Sequence, residues 1–177
     1  MRTLLIVWHS ATGTSRALSE AVEAAANEAA GPVRTSGAAS APSAHLHVRR
    51  LWCDQAGPAD LLAADGFVFA CPEMLGTIAG RMKDFFDRSY YPALDAIAGK
   101  PYALIVTAGS DGQGAIRQLE RIAAGWRLRA IAAPLRVCTD AQTPEAILAP
   151  KSPTESAIQQ ARDLGAAFAT GLSLGIW

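Results

Sequence analysis

Apolar runs and amphipathic stretches alternate along this chain. Residues 3–8 form an apolar run that reads as a strand buried on both faces. Behind it Leu18, Val22, Ala25 and Ala29 recur at helical spacing up to Ala30, where Gly31-Pro32 stops the helix. Residues 31–44, rich in Gly, Ser, Ala and Pro, read as a surface loop. Residues 45–52 mix Leu46, Val48 and Leu51 with His45, His47, Arg49 and Arg50, which is too polar for a strand covered on both faces. A brief helix over 58–64 leads to a compact apolar strand over 66–71 and a loop over 72–76. The next helix, over 77–90, carries an inner stripe of Ile78, Met82, Phe85, Phe86 and Ser89. After the break at Gly99-Lys100-Pro101 comes a buried strand over 102–108. A helix over 115–129 follows, with Ile116, Leu119, Ala123 and Trp126 inward. A short strand over 135–139 carries Arg136 and follows Pro134. Beyond a polar, Pro-containing loop, a last helix over 154–170 turns Ile158, Ala161, Gly165 and Phe168 inward.

Five strands alternating with helices predict an α/β fold: a three-layer, doubly wound, five-stranded parallel sheet. The polar strands are the second and the fifth, and polar strands belong at sheet edges. That selects the order 2-1-3-4-5 over 3-2-1-4-5, which would bury strand two. In such a sheet ligands bind beyond the C-terminal ends of the strands, where the order reverses between strands one and three. The 177 residues show no internal repeat and suit a single domain over 1–177.

Three loops meet at that reversal. The first is Ser10-Ala11-Thr12-Gly13-Thr14-Ser15, four hydroxyls and a glycine between a strand and a helix start. Thr12 or Thr14 could simply cap the helix, but a cap needs one such residue. Four favour a phosphate site built on free N–H groups and the positive end of the helix dipole. The second loop is Pro72-Glu73-Met74-Leu75-Gly76, and the third runs through Ala108, Gly109, Ser110, Asp111 and Gly112 to Gly114.

Composition narrows the chemistry. Half the residues are hydrophobic and 18% charged, with sixteen basic against sixteen acidic residues, so net charge points to neither nucleic acid nor an anionic membrane. Cys53, Cys71 and Cys138 lack metal-ligand spacing and read as small hydrophobes in a reducing compartment. No signal peptide is evident at the N-terminus, and the uncharged stretch 164–177 is too short to span a bilayer, so a cytoplasmic location is expected. The first loop lacks the lysine of a P-loop, the cysteine of a phosphatase of similar fold, and the acidic residues of a receiver domain. No catalytic triad, paired carboxylates or metal cluster stands out.

These motifs carry a resemblance. Ser10-x-Thr12-Gly13-x-Ser15 looks like the phosphate loop of flavodoxin-like proteins. Cys71-Pro72-Glu73-Met74-Leu75-Gly76, running on through Gly80-Arg81-Met82-Lys83-Asp84-Phe85-Phe86-Asp87-Arg88, is similar to the Pro-Glu loop and following helix of NAD(P)H-dependent FMN and quinone reductases. Gly99-Lys100-Pro101, Thr107-Ala108-Gly109 and Gly112-x-Gly114 fit that family's third loop, and all the motifs stand in register.

The resemblance implies FMN as cofactor, its phosphate held by the first loop. Residues 72–76 would flank the isoalloxazine, and residues 109–112 would approach its pyrimidine side. NAD(P)H would be the hydride donor and a quinone or similar small molecule the acceptor. It also implies a homo-oligomer, a dimer or tetramer, whose neighbouring subunits help to close the site. Where relatives carry an aromatic after Pro-Glu, this chain has Met74 and Leu75. Trp8, Trp52 or Trp126 could stack instead, though core packing is the simpler reading of each. Asp111 could bond the flavin or cap the next helix. Arg117, Arg121, Arg127 and Arg129 could meet a 2′-phosphate or form a solvated helix face, the reading preferred here. An electron-carrying flavodoxin and a nonflavin regulatory module of the same fold are the rival readings.

Overall fold

A computed structural model describes residues 1–31 and 46–177, so most of the expected loop over 31–44, and His45, lie outside the described residues. In chain order the elements are β1 (Arg2–Trp8), α1 (Thr14–Ala30), β2 (Leu46–Trp52), α2 (Pro58–Ala63), β3 (Gly66–Met74), β4 (Thr77–Ile78) and α3 (Gly80–Ala93). Then follow β5 (Pro101–Ala108), α4 (Gln113–Gly125), β6 (Arg129–Ala130), β7 (Leu135–Cys138), α5 (Pro144–Leu148) and α6 (Glu155–Leu174).

The main sheet runs β2-β1-β3-β5, with β6 and β7 sharing the far edge. Counted as five strands this is the expected 2-1-3-4-5, and every pair in it is parallel. Alternate residues of the three inner strands feed two cores. Leu5, Val7, Phe67, Phe69, Leu104 and Val106 pack under α2, α3 and α4, while Leu4, Ile6, Val68, Ala70, Ala103 and Ile105 pack under α1 and α6. Burial on both faces is what makes these strands near-continuous apolar runs. The polar edge strand β2 pairs its arginines with both layers: Arg49 with Asp60 of α2 at 2.7 Å, and Arg50 with Glu23 of α1 at 2.6 Å.

Several boundaries differ from the sequence pattern, each for a tertiary reason. The loop expected over 72–76 is mostly strand: β3 continues to Met74, and Met74 pairs with Thr77 across a two-residue turn. The helix expected from Thr77 therefore starts at Gly80, since Thr77 and Ile78 belong to β4. The helix over 115–129 is α4, ending at Gly125, and β6 and β7 together form the fifth strand, broken over 131–134. α6 runs on to Leu174, capped by Thr154 Oγ1, which accepts the Ala157 N–H at 3.2 Å. α5 lies in what reads as loop.

The β3–β4 turn is strained. Leu75 (φ 52°) and Gly76 (φ 77°) both sit in the left-handed region that such a two-residue turn demands. Glycine accepts this freely, whereas a leucine there costs roughly 1–2 kcal/mol. The Leu75 side chain is fully exposed and recovers nothing by packing. Leu75→Asn is expected to stabilise the protein by about 1 kcal/mol and raise Tm by about 2–4 °C. An unchanged or lower Tm would refute the strain.

Candidate functional site

A crevice opens at the C-terminal ends of β1, β3 and β5, the predicted reversal point, between the two helical layers. Its floor begins where β1 passes into α1. Gly13 is the N-cap residue of α1 at φ 112°, a conformation open to glycine, and no side chain caps the helix. The alternative set aside in the sequence, that Thr12 or Thr14 merely caps α1, is not what the structure shows. Ser10 Oγ instead accepts the Gly13 N–H at 3.0 Å and shapes the loop from within. Ser15 Oγ lies 2.7 Å from Thr107 Oγ1, a buried hydroxyl pair joining the loop to β5. Thr14 is buried in the crevice lining, and its Oγ1 has no hydrogen-bond partner. The first turn of α1 contains no acidic residue. An unsatisfied hydroxyl beside an uncapped, positively poled helix end is an arrangement that suits an anion.

The second wall is the end of β3, and its Glu73 faces the protein. One carboxylate oxygen accepts the Gly112 N–H at 3.1 Å and the other the Ala115 N–H at 3.0 Å, so Glu73 caps α4 from 39 positions away. The hairpin is pressed further onto α4 by the Ile78 N–H, which donates to Gln118 Oε1 at 3.0 Å. At Gly114 a Cβ would fall 2.8 Å from the Gly76 carbonyl carbon and nearer still to its oxygen. Asp111, left open between flavin contact and cap, does not cap α4 through its side chain. Gly112 is the N-cap residue, and the exposed Asp111 carboxylate lies 3.8 Å from Arg136.

Of the sequence candidates, Ala11, Thr12, Thr14, Pro72, Glu73, Met74, Ala108 and Gly109 line the crevice together. Ser10, Gly13 and Ser15 support it from behind. Leu75 and Gly76 form the hairpin tip, and Ser110, Asp111 and Gly112 lie outside the lining. Thr107, named in the third-loop motif but not as a site residue, also lines it, and so do Thr139, Ala141, Ile147, Leu148 and Lys151, which no motif singled out. Thr107 follows directly from β5 register, but the last three come from α5 and the residues after it, where no motif pointed.

None of the three tryptophans considered for stacking lines the crevice. Trp126 is core, its indole N–H donating to the Tyr90 carbonyl at 2.9 Å, and Trp8 packs edge-on against Trp52 at 4.6 Å. The large apolar lining residues are Pro72, Met74, Ile147 and Leu148 instead. The four arginines considered for a 2′-phosphate are also outside it, and Arg127 pairs with Asp95.

The two buried thiols, Cys53 and Cys71, supply no nucleophile. Burial pushes the Cys71 thiol up to about 12. Burial, then a hydrogen bond to Asp54, does the same for Cys53, so both stay protonated at neutral pH. His9 leans on the Trp52 ring at 4.9 Å, and burial and the nearby Arg81 hold its pKa below the ordinary histidine value. Among the described residues no group of three or more His, Cys, Asp or Glu could hold a metal, and no helix is long and apolar enough to cross a membrane.

The family model for NADPH-dependent FMN reductase matches residues 9–141. A probable NAD(P)H dehydrogenase (quinone), FQR1-like 2, of Arabidopsis thaliana is 42% identical over 57 residues, which is 32% of this chain and 21% of that protein's length. Among solved structures, a flavodoxin from the domain Archaea superposes with a TM-score of 0.69 at 15% identity, covering 94% of this chain and 96% of its own. Rubredoxin:oxygen oxidoreductase from Desulfovibrio gigas superposes with a TM-score of 0.73 at 12% identity, covering 99% of this chain and 37% of its own. At those identities the structural likeness concerns the fold.

Proposed function

The chain belongs to the NADPH-dependent FMN reductase family, and we propose that it is an FMN-dependent oxidoreductase that passes reducing equivalents from NAD(P)H to a quinone or similar small acceptor. The observation that carries this reading is the partnerless, buried Thr14 hydroxyl at an uncapped helix start, opening into a crevice with aliphatic walls. Such a site matches a ligand with an anionic tail and a flat apolar body. When bound, FMN supplies the hydride-accepting and hydride-donating ring.

The residues of the chain then have positional work. Thr12, Thr14 and the first N–H groups of α1 hold the phosphate, with Ser10 and Ser15 fixing the loop that presents them. Pro72 and Met74 flank the ring on the β3 side. The backbone at Ala108 and Gly109 borders it on the β5 side, where N–H dipoles favour negative charge. Little acid–base machinery is needed, in keeping with protonated thiols and a Glu73 carboxylate engaged by α4. The exposed Met74 at the crevice rim is compatible with a homo-oligomer in which a second copy closes that rim.

The hydroxyl anchor has a test with two opposite signs. Thr14→Val removes an unsatisfied buried hydroxyl while keeping its shape, so the apoprotein is expected to be as stable or more stable, by up to about 1 kcal/mol. FMN affinity is expected to fall roughly tenfold to a hundredfold, read by quenching of flavin fluorescence. Unchanged affinity would remove Thr14 from the phosphate site. For the reaction, anaerobic NADPH titration of FMN-loaded protein should bleach the visible flavin bands. Persistent colour would leave the electron-carrier reading, and failure to take up FMN the nonflavin one.

A further inference from the structure

The crevice wall after β7 has a construction of its own. α5 is five residues long and buries none of its side chains, yet both its ends are tied. Thr143 Oγ1 accepts the Ala146 N–H at 3.2 Å, and Lys151 Nζ donates to the carbonyls of Ile147 at 2.8 Å and Ala149 at 3.0 Å. The stretch is fastened to the hydroxyl loop by the Lys151 N–H, which donates to the Thr12 carbonyl at 2.7 Å. The Lys151 carbonyl fills the space where a Cβ on Gly13 would stand, 2.9 Å away. Lys151 is thus set directly against Thr12 and Gly13, the part of the loop nearest the unsatisfied Thr14 hydroxyl.

The charges in the crevice make this placement matter. Among the described residues that line the crevice Lys151 is the one cation, and Glu73, the one carboxylate, has both oxygens bonded to α4. The loop supplies neutral donors only, whereas a phosphate monoester carries close to two negative charges near pH 7. The Lys151 ammonium is held by neutral carbonyls, and no carboxylate of the described residues lies within salt-bridge reach of it. Exchanging two exposed carbonyls for a dianion is favourable, and four rotatable bonds give the ammonium the freedom to make the exchange.

We propose that Lys151 is the counter-charge of the flavin phosphate, presented by the tied stretch 143–151 acting as a strap over the hydroxyl loop. This rests on FMN being the ligand. It adds to that reading a cation that the loop motif lacks, and it makes FMN capture dependent on salt.

The test compares FMN with riboflavin, which has the same ring and no phosphate, on the apoprotein and on Lys151→Met and Lys151→Arg. The expected result is FMN affinity weakened roughly tenfold to a hundredfold by Lys151→Met, with riboflavin affinity unchanged and Lys151→Arg largely restored. Raising salt from about 0.05 to about 0.5 M should weaken FMN binding to the unaltered protein and have much less effect on Lys151→Met. Equal weakening of both ligands by Lys151→Met would make the lysine a mere fastener of α5 and overturn the proposal. So would FMN affinity that does not change. In both cases the FMN reading stands, whereas an unaltered protein that binds neither ligand overturns that reading and the proposal together.

Discussion

Gly114→Ala is expected to destabilise the protein by about 2–3 kcal/mol, although alanine in a helix normally gains up to about 1 kcal/mol over glycine. The new methyl would enter the Gly76 carbonyl group, and both partners are backbone. No rotamer relieves the overlap, because Gly114 lies in the first turn of α4 and Gly76 is held in its turn at φ 77°. The hairpin must therefore lift off α4. Lifting it strains the Glu73 bonds to Gly112 and Ala115 and the Ile78 bond to Gln118. Urea unfolding should show a lower midpoint, and FMN affinity should fall with it, since Pro72 and Met74 move with the hairpin. A variant as stable as the unaltered protein would mean that the hairpin does not rest on α4 in solution.

Glu73→Ala should undo the same contact from its other side. Gly112 and Ala115 N–H groups then lose their acceptor at a helix start that has no other side-chain cap, at a cost of about 2 kcal/mol. Glu73→Gln can keep one of the two bonds, because its amide nitrogen cannot accept, so an intermediate loss is expected. The decisive measurement is the double variant with Gly114→Ala. Two changes that break one interface should cost less together than the sum of their separate costs. Full additivity would separate the Glu73 cap from the hairpin contact.

The parts of the fold legible in the sequence are those written into periodicity. The inner strands are apolar because both faces are covered, and the arginines of β2 and the polar, Pro-flanked fifth strand mark the edges. From those two facts the strand order and the position of the crevice follow. The place of the hydroxyl loop at the crevice was legible because it is local, a strand running straight into a helix. What escaped was set by distant partners. Glu73 reads as a ligand contact until α4 is seen to lie across from it. Thr77 and Ile78 match a helical stripe until Met74 pairs with Thr77 and draws them into a hairpin. Lys151 sits in a polar, Pro-rich stretch with no periodicity at all. Its significance comes from a main-chain bond to Thr12, 139 positions earlier.

The buried pair of Ser15 and Thr107 has a consequence for how the site is filled. Each hydroxyl satisfies the other inside the protein, so the floor of the proposed phosphate site is stitched to β5 before any ligand arrives. The conformational entropy of arranging that floor is therefore spent when the chain folds, and an incoming ligand has little left to order there. Capture then takes the character of docking onto a rigid seat, with affinity limited by contact and charge. The variable part of the encounter is left to the rim formed by α5, which buries none of its own side chains.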